Sequence, residues 1–250
     1  MSSLISQVSR GRTAAPRRVL VYGVHGVGKS SFASCAERPV FIQTEDGLGS
    51  IDAARFPLAT RYGDVIAALG ELYTAEHDFR TVVVDSVDWL EPLVWAETCR
   101  RNGWASIEAP GFGKGYAEAL TVWREYLDRL NTLRDRRGMA VVQIAHTDIK
   151  RFDSPEHEPY DRYVIKLQAR AAALLQEHCD VVLFANYRMS ITKADVGFNK
   201  KVARALGSGE RVLHTAERPA FLAKNRYGLP DTLPLDWKAF VAAMPQPEQS

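Results

Sequence analysis

The sequence predicts an α/β fold in which a mostly parallel central sheet is flanked by helices, with antiparallel strands toward the C-terminus. Three observations lead there. Apolar runs of strand length alternate with longer segments of helical periodicity, the pattern of strand–helix–strand crossovers. The run Thr81-Val82-Val83-Val84-Asp85 is short and apolar, as expected of a strand buried on both faces of a parallel sheet. From Arg188 onward the pattern changes to short strands and turns, which suits antiparallel hairpins at one side of that sheet.

Taken in order, Val19 to Tyr22 reads as the first buried strand and Ser31-Phe32-Ala33 as the start of a helix. Pro39 to Gln43 reads as a second strand, ending at Thr44-Glu45-Asp46-Gly47. A helix from about Gly63 to Glu76 places Val65, Ile66, Leu69, Leu72 and Tyr73 on one side. After the strand ending at Asp85, a helix is expected from Trp89 to Arg101, then a loop from Asn102 to Gly115 rich in glycine. The helix Tyr116 to Arg136 carries Leu120, Trp123, Leu127, Leu130 and Leu133 at helical spacing and stops at Gly138. Met139 to Ala145 is the next strand, and the polar stretch Asp148 to Tyr163 is expected to be a loop. A helix (Lys166 to Glu177) leads to the strand Val181 to Tyr187. Short strands are expected at Arg211 to Thr215 and Ala220 to Lys224, and a docking helix at Trp237 to Met244. The division is a basic flexible arm over residues 1–16, one core over 17–244 and a disordered tail over 245–250.

Composition narrows the class. The chain has 250 residues, 46% hydrophobic and 25% charged, which is the make-up of a globular soluble protein able to bury a sizeable core. No apolar run approaches the ~20 residues of a membrane span, and no signal-peptide apolar region follows the N-terminus. Cys35, Cys99 and Cys179 are widely spaced with no C-x-x-C pair. They read as small hydrophobes in a reducing compartment, so a cytoplasmic location is expected. The net charge of +2 is too small to declare a nucleic-acid partner by itself.

One motif carries the chemistry. Gly23, Val24, His25, Gly26, Val27, Gly28, Lys29 and Ser30 satisfy G-x-x-x-x-G-K-[ST] between a strand and a helix, with Ser31 following. Glycines let backbone N–H groups turn inward around a phosphate, and the helix N-terminus adds its positive end. Lys29 would reach the terminal phosphates, and the Ser30 hydroxyl would ligate Mg²⁺. Val82-Val83-Val84-Asp85 is a Walker-B-type strand whose carboxylate can hold the same ion, with Ser86 as a possible helper. Glu45, at the end of the second strand, stands where a carboxylate could activate water, with Asp46 its rival and a solvated loop acid the plain reading. His146, at the end of the Met139–Ala145 strand, fits either a structural histidine or a group that senses the γ-phosphate. Metal sites other than Mg²⁺ are not expected, since His157 and Glu158 have no second ligand pair at recognised spacing.

The loop Asn102 to Gly115, with Trp104, Phe112 and Lys114, mixes glycine, aromatics and a base, a composition that fits single-stranded nucleic acid and equally a plain flexible loop. Lys150 and Arg151 in the polar stretch are outweighed by acids, whereas Arg188 to Arg211, including Lys200 and Lys201, is the more basic candidate.

Together these segments resemble the RecA-type recombinases. Phe41-Ile42-Gln43-Thr44-Glu45 resembles their strand bearing the catalytic glutamate, and Thr81 to Val87 their Walker B strand. Val142-Gln143-Ile144-Ala145-His146 is similar to the strand that ends in their γ-phosphate sensor, usually glutamine and here histidine. Lys224-Asn225-Arg226-Tyr227-Gly228-Leu229-Pro230 resembles a segment through which neighbouring subunits send cations into each other's ATP site. The whole set, over roughly residues 17 to 240, looks most like the phage-encoded RecA-like ATPases, among them the Sak group of proposed single-strand annealing proteins. The resemblance implies an ATP- and Mg²⁺-dependent ATPase, active in recombination or annealing on single-stranded DNA. Glu45 would activate water, His146 would sense the γ-phosphate, and Lys224 and Arg226 would act in trans within an oligomer. It also implies the cytoplasm of a host cell if the chain is phage-encoded, and a single-strand binding protein or replication factor as a possible partner. Against the family's pattern, no separate DNA-binding domain and no obvious subunit-swapping peptide are legible in this sequence, and the second loop is expected not to be basic. An alternative from another class is a nucleotide-gated assembly or loader protein that binds a replication or recombination partner and no DNA. A small-molecule kinase ranks last, because no acceptor pocket or lid is legible.

Overall fold

The computed structural model describes residues 5, 8, 15–154, 158–195 and 201–245, with 189–195 and 201–208 described by backbone alone. The arm expected at 1–16 and the tail expected at 245–250 therefore fall almost wholly outside the described residues.

The chain begins with β1 (Arg18–Gly23), α1 (Lys29–Ser34), β2 (Pro39–Gln43), a two-residue β3 (Ala54–Arg55) and α2 (Tyr62–Thr74). It continues through β4 (Thr81–Asp85), α3 (Val87–Asn102), α4 (Lys114–Arg137), β5 (Ala140–Phe152), β6 (Tyr160–Ile165) and α5 (Ala169–His178). It closes with β7 (Val181–Asp195), β8 (Lys201–His214), β9 (Lys224–Asn225), β10 (Thr232–Pro234) and α6 (Trp237–Ala242). The sheet runs β10-β8-β7-β1-β5-β4-β2-β3, parallel from β7 to β3 and antiparallel where β8 joins β7 and β10 joins β8. The mostly parallel sheet with antiparallel strands toward the C-terminus is the one the sequence predicts.

Strand alternation splits the core into two layers. Leu20, Tyr22, Ile42, Val82, Val84 and Val141 face α2, α3, α4 and α5. Val19, Val21, Phe41, Val83, Val142 and Leu183 face α1 and α6, where Phe32 and Phe240 pack. With helices on both faces, these strands need no polar side, which explains the valine runs.

The polar stretch expected as a loop is a structured arm instead. β5 runs on past Ala145, and Thr147 to Phe152 pairs antiparallel with Tyr160 to Ile165. Thr147, Ile149, Tyr163, Val164 and Ile165 supply strand-forming side chains, while Asp148, Lys150, Arg151 and Asp161 stay exposed. The short strands expected after Arg188 are likewise one long ribbon, β7 with β8, paired from Phe184 and His214 out to Asp195 and Lys201. Ala220 to Lys224 is not a continuous strand. Phe221 makes isolated bridges and packs on Phe184, and only Lys224–Asn225 adds to the sheet, against Val181 and Val182.

Candidate functional site

All the parallel strands end at one edge, and their register decides what meets there. Gly23, the last residue of β1, lies opposite His146 of β5 and Ala185 of β7. Asp85 ends β4 beside Ile144, and Gln43 ends β2 beside Asp85, which brings Glu45 two residues later to the same edge. Gly23 has no room for a side chain, because a Cβ there would sit 2.0 Å from the Ala185 carbonyl oxygen. Gly28 precedes α1 with φ 103, a left-handed conformation that favours glycine. Lys29 is buried, and its Nζ donates to the carbonyls of Gly23 and Val24, each at 3.1 Å, so the lysine closes the loop on itself. Burial holds its pKa below the ordinary lysine value, against the attraction of Asp85, Asp88 and Glu45.

Ser30 and Asp85 are in direct contact. Ser30 Oγ donates to Asp85 Oδ2 at 2.6 Å. Burial pushes the Asp85 carboxyl above its usual range, the Ser30 hydrogen bond opposes this, and the charge of Glu45 adds to the rise. A carboxylate desolvated beside another carboxylate is a site short of positive charge. Among the described residues no three His, Cys, Asp or Glu side chains converge as a metal site. Two hard oxygen donors on the protein suit Mg²⁺, which takes few protein ligands and leaves the rest to phosphates and water. The residues present therefore fit that ion with a nucleotide.

Glu45 is held rather than free in a loop. Ser86 Oγ donates to Glu45 Oε1 at 2.7 Å. Ser86 is itself locked by Thr44, whose Oγ1 accepts from Ser86 N at 2.8 Å and donates to Ser86 O at 2.6 Å. Asp46, the rival carboxylate, is exposed.

His146 is anchored by a residue that sequence reasoning missed. Its backbone N–H donates to Asp88 Oδ1 and its Nδ1 lies on Asp88 Oδ2, both at 2.9 Å. Burial would raise the Asp88 carboxyl, but the hydrogen bonds from His146 hold it below the usual carboxylate range. Glu45 Oε1 is 3.8 Å from His146 Nδ1, and the His25 ring of the phosphate loop stacks on the His146 ring at 4.2 Å. Burial and the neighbouring His146 lower the His25 pKa.

One helical turn beyond Asp88, Glu91 accepts the Gln168 backbone N–H with both oxygens, at 3.0 and 3.1 Å. Asp88 and Glu91 thus clamp both ends of the β5–β6 arm at its base. Their only sequence signal was two acids near the start of a helix. Burial raises the Glu91 pKa from 4.5 to about 7, so between those values the folded state holds a proton that the unfolded chain has lost. The stabilisation is present below the unfolded value and is lost as pH rises through the folded one. Glu91→Gln is therefore expected to stabilise the fold at about pH 8 by roughly 1–3 kcal/mol and to change little near pH 5. Urea unfolding at the two pH values checks this, and an equal effect at both would point away from the carboxylate.

Other expected residues lie elsewhere. Lys224 and Arg226 follow the pairing of β9 with Val181 and Val182 at the start of β7. That is about 13 Å along the strand from Ala185 and the phosphate loop, at the far edge of the sheet. Lys224 Nζ donates to the last carbonyls of α5, Gln176 at 2.7 Å and Glu177 at 3.1 Å. Arg226 Nη1 donates to Asp180 Oδ1 at 3.3 Å, with its side chain 54% exposed. Neither reaches its own chain's phosphate loop. Phe112 is fully exposed at φ 50, between Gly111 and Gly113, and Lys114 opens α4 in solvent. Lys150 and Arg151 are exposed on the β5 arm. Lys200 lies outside the described residues, and Lys201 is described by its strand backbone alone.

A family model described as an AAA domain matches residues 15–227. No curated protein matches the sequence. Among solved structures, the crystal structure of the RadB recombinase is similar over 84% of this chain and 86% of that one, with 17% identity and a TM-score of 0.45. No helix among the described residues is long and apolar enough to cross a membrane.

Proposed function

The chain belongs to the AAA domain family, and from that premise we propose that it is a RecA-like enzyme that binds and hydrolyses ATP and acts on single-stranded DNA in recombination or annealing. The observation that carries the ATPase reading is the alignment of Gly23 with His146, and of Gln43 with Asp85, at one sheet edge. It gathers a phosphate loop, a Ser30–Asp85 oxygen pair and a held Glu45 within one site.

In this mechanism Lys29 and the loop amides bind the phosphates, and Ser30 and Asp85 hold Mg²⁺. The ion, when bound, neutralises charge that builds on the transferring phosphoryl group. Glu45, oriented by Ser86, takes the proton of the attacking water. With Nδ1 on the Asp88 carboxylate, His146 is left with Nε2 as the ring nitrogen that can meet a phosphate oxygen. Because β5 runs from His146 straight into the β5–β6 arm, contact with the γ-phosphate would be felt at its base. Exposed Ile149, Lys150, Arg151 and Phe152 on that arm, with Phe112 and Lys114, are the DNA-facing candidates, together with Lys201 of β8 and its neighbour in sequence, Lys200. Lys224 and Arg226 would complete a neighbour's site in an oligomer, and Arg226 has the freer side chain.

One observation favours the second reading, a nucleotide-gated loader that grips a protein partner. The exposed charges of the arm are acidic on balance, Asp148, Asp153, Glu158 and Asp161 against Lys150 and Arg151, and Arg162 is buried against Glu217. ATP turnover per chain, measured over a range of protein concentration with and without a single-stranded oligonucleotide, tests both. Turnover is expected to rise with DNA, less so at high salt, and to rise with protein concentration. No response to DNA at low salt would move the assignment to the loader, and turnover independent of concentration would sink the neighbour's cation.

A further inference from the structure

The side of the site that receives the base follows from the order of the strands. Glu45 follows β2, Asp85 ends β4 and His146 lies within β5, all on one side of β1. A triphosphate with its terminal phosphate among them sends its nucleoside to the other side of β1, where β7 and β8 lie.

Two side chains already stand there. Tyr187 of β7 and Arg211 of β8 are directly opposed in the antiparallel register. The Tyr187 hydroxyl donates to Gly26 O at 3.4 Å, and Arg211 Nη1 donates to Val27 O at 3.4 Å. Both hydrogen bonds are at the outer limit of length, so a ligand can replace them at little cost. A Cβ on Gly28 would lie 2.7 Å from Arg211 Nη1 and 3.7 Å from Leu235 Cδ2, which puts both residues against the phosphate loop. Nearby arginines are paired with acids, Arg188 with Glu210, Arg162 with Glu217 and Arg218 with Asp231. Arg211 is exposed, and among the described residues its guanidinium has only the Val27 carbonyl. A planar cation and a phenol ring side by side, with a leucine next to them, are the chemistry that receives a flat aromatic base.

We propose that Arg211 and Tyr187, with Leu235, form the nucleoside subsite of this chain, stacking on the base of the bound triphosphate in cis. The subsite rests on the nucleotide reading of the phosphate loop. Stacking reads the face of a base and not its edge, so purine triphosphates bind more tightly than pyrimidine ones, with little choice between adenine and guanine.

The test is direct binding of ATP and of inorganic tripolyphosphate, each with Mg²⁺, to the wild type, Arg211→Ala and Arg211→Lys. Arg211→Ala is expected to weaken ATP about tenfold and tripolyphosphate by less than about twofold. Arg211→Lys keeps the charge without the plane and should lose nearly as much for ATP. Tripolyphosphate serves as the folding control, since it needs the phosphate loop intact. Equal losses for both ligands, or full recovery by lysine, would make Arg211 a phosphate contact and overturn the subsite. Wild-type ATP affinity in Arg211→Ala would overturn it as well. Failure of the wild type to bind either ligand would instead overturn the nucleotide reading, and the subsite with it.

Discussion

Glu45→Gln is expected to lower ATP turnover by about 10²- to 10⁴-fold while ATP affinity changes little. The substitution keeps the shape of the side chain and one oxygen to accept from Ser86, so the 2.7 Å hydrogen bond that orients it can persist. It removes the basic oxygen that would take a proton from water. The neighbouring charge balance also changes, since Glu45 raises the pKa of Asp85 and lies 3.8 Å from His146. That change should ease ionisation of Asp85, and with it Mg²⁺ binding, so lost turnover could not be ascribed to lost metal. Parallel measurement of turnover and of ATP binding separates the two. Unchanged turnover would move the base to another group, and exposed Asp46 would be the first to replace.

The second large effect concerns the fold. Gly23→Ala is expected to destabilise the protein by at least about 3 kcal/mol, beyond the usual range for one extra methyl group in a packed core. The obstacle is backbone, because the new Cβ would meet Ala185 O at 2.0 Å and Ala185 C at 2.9 Å. Ala185 is held on both sides, by Gly23 of β1 and Leu213 of β8, so its backbone cannot rotate away as a side chain can, and β1 and β7 must separate there. A lowering of the thermal midpoint by roughly 6–12 °C follows for a domain of this size. Gly26→Ala is the useful contrast. Nothing lies within 4 Å of its Cβ, and its φ of 70 alone should cost about 1–2 kcal/mol. A wild-type midpoint for Gly23→Ala would mean that β1 and β7 do not pair in this register.

Much of the site was legible because phosphate chemistry constrains local sequence. A loop that turns amides inward needs glycines at set spacing, and a lysine and hydroxyl at its end, all within Gly23 to Ser30. Buried parallel strands must be apolar and must end in polar residues at the ligand edge, which pointed to Glu45, Asp85 and His146. Asp88 and Glu91 were not legible, since acids early in a helix are ordinary favourable partners of its dipole. Their roles appear only when β5 and the start of α5 pack on α3. The β5–β6 arm was read as a loop for a similar reason. Its charged residues mask a strand whose stability comes from pairing with a segment some residues away.

By itself, then, the amino-acid order determined which residues are candidates for a phosphate loop and which segments form a covered parallel sheet. Those are short-range matters of spacing and hydrophobicity. The tertiary structure alone decided which polar groups touch: Ser86 on Glu45, Asp88 on His146, and Arg211 beside Gly28. It also placed Lys224 and Arg226 at the far edge of the sheet, the first on the end of α5 and the second on Asp180. These contacts join residues that are far apart in the chain. Strand order and register set them, and no local pattern encodes either.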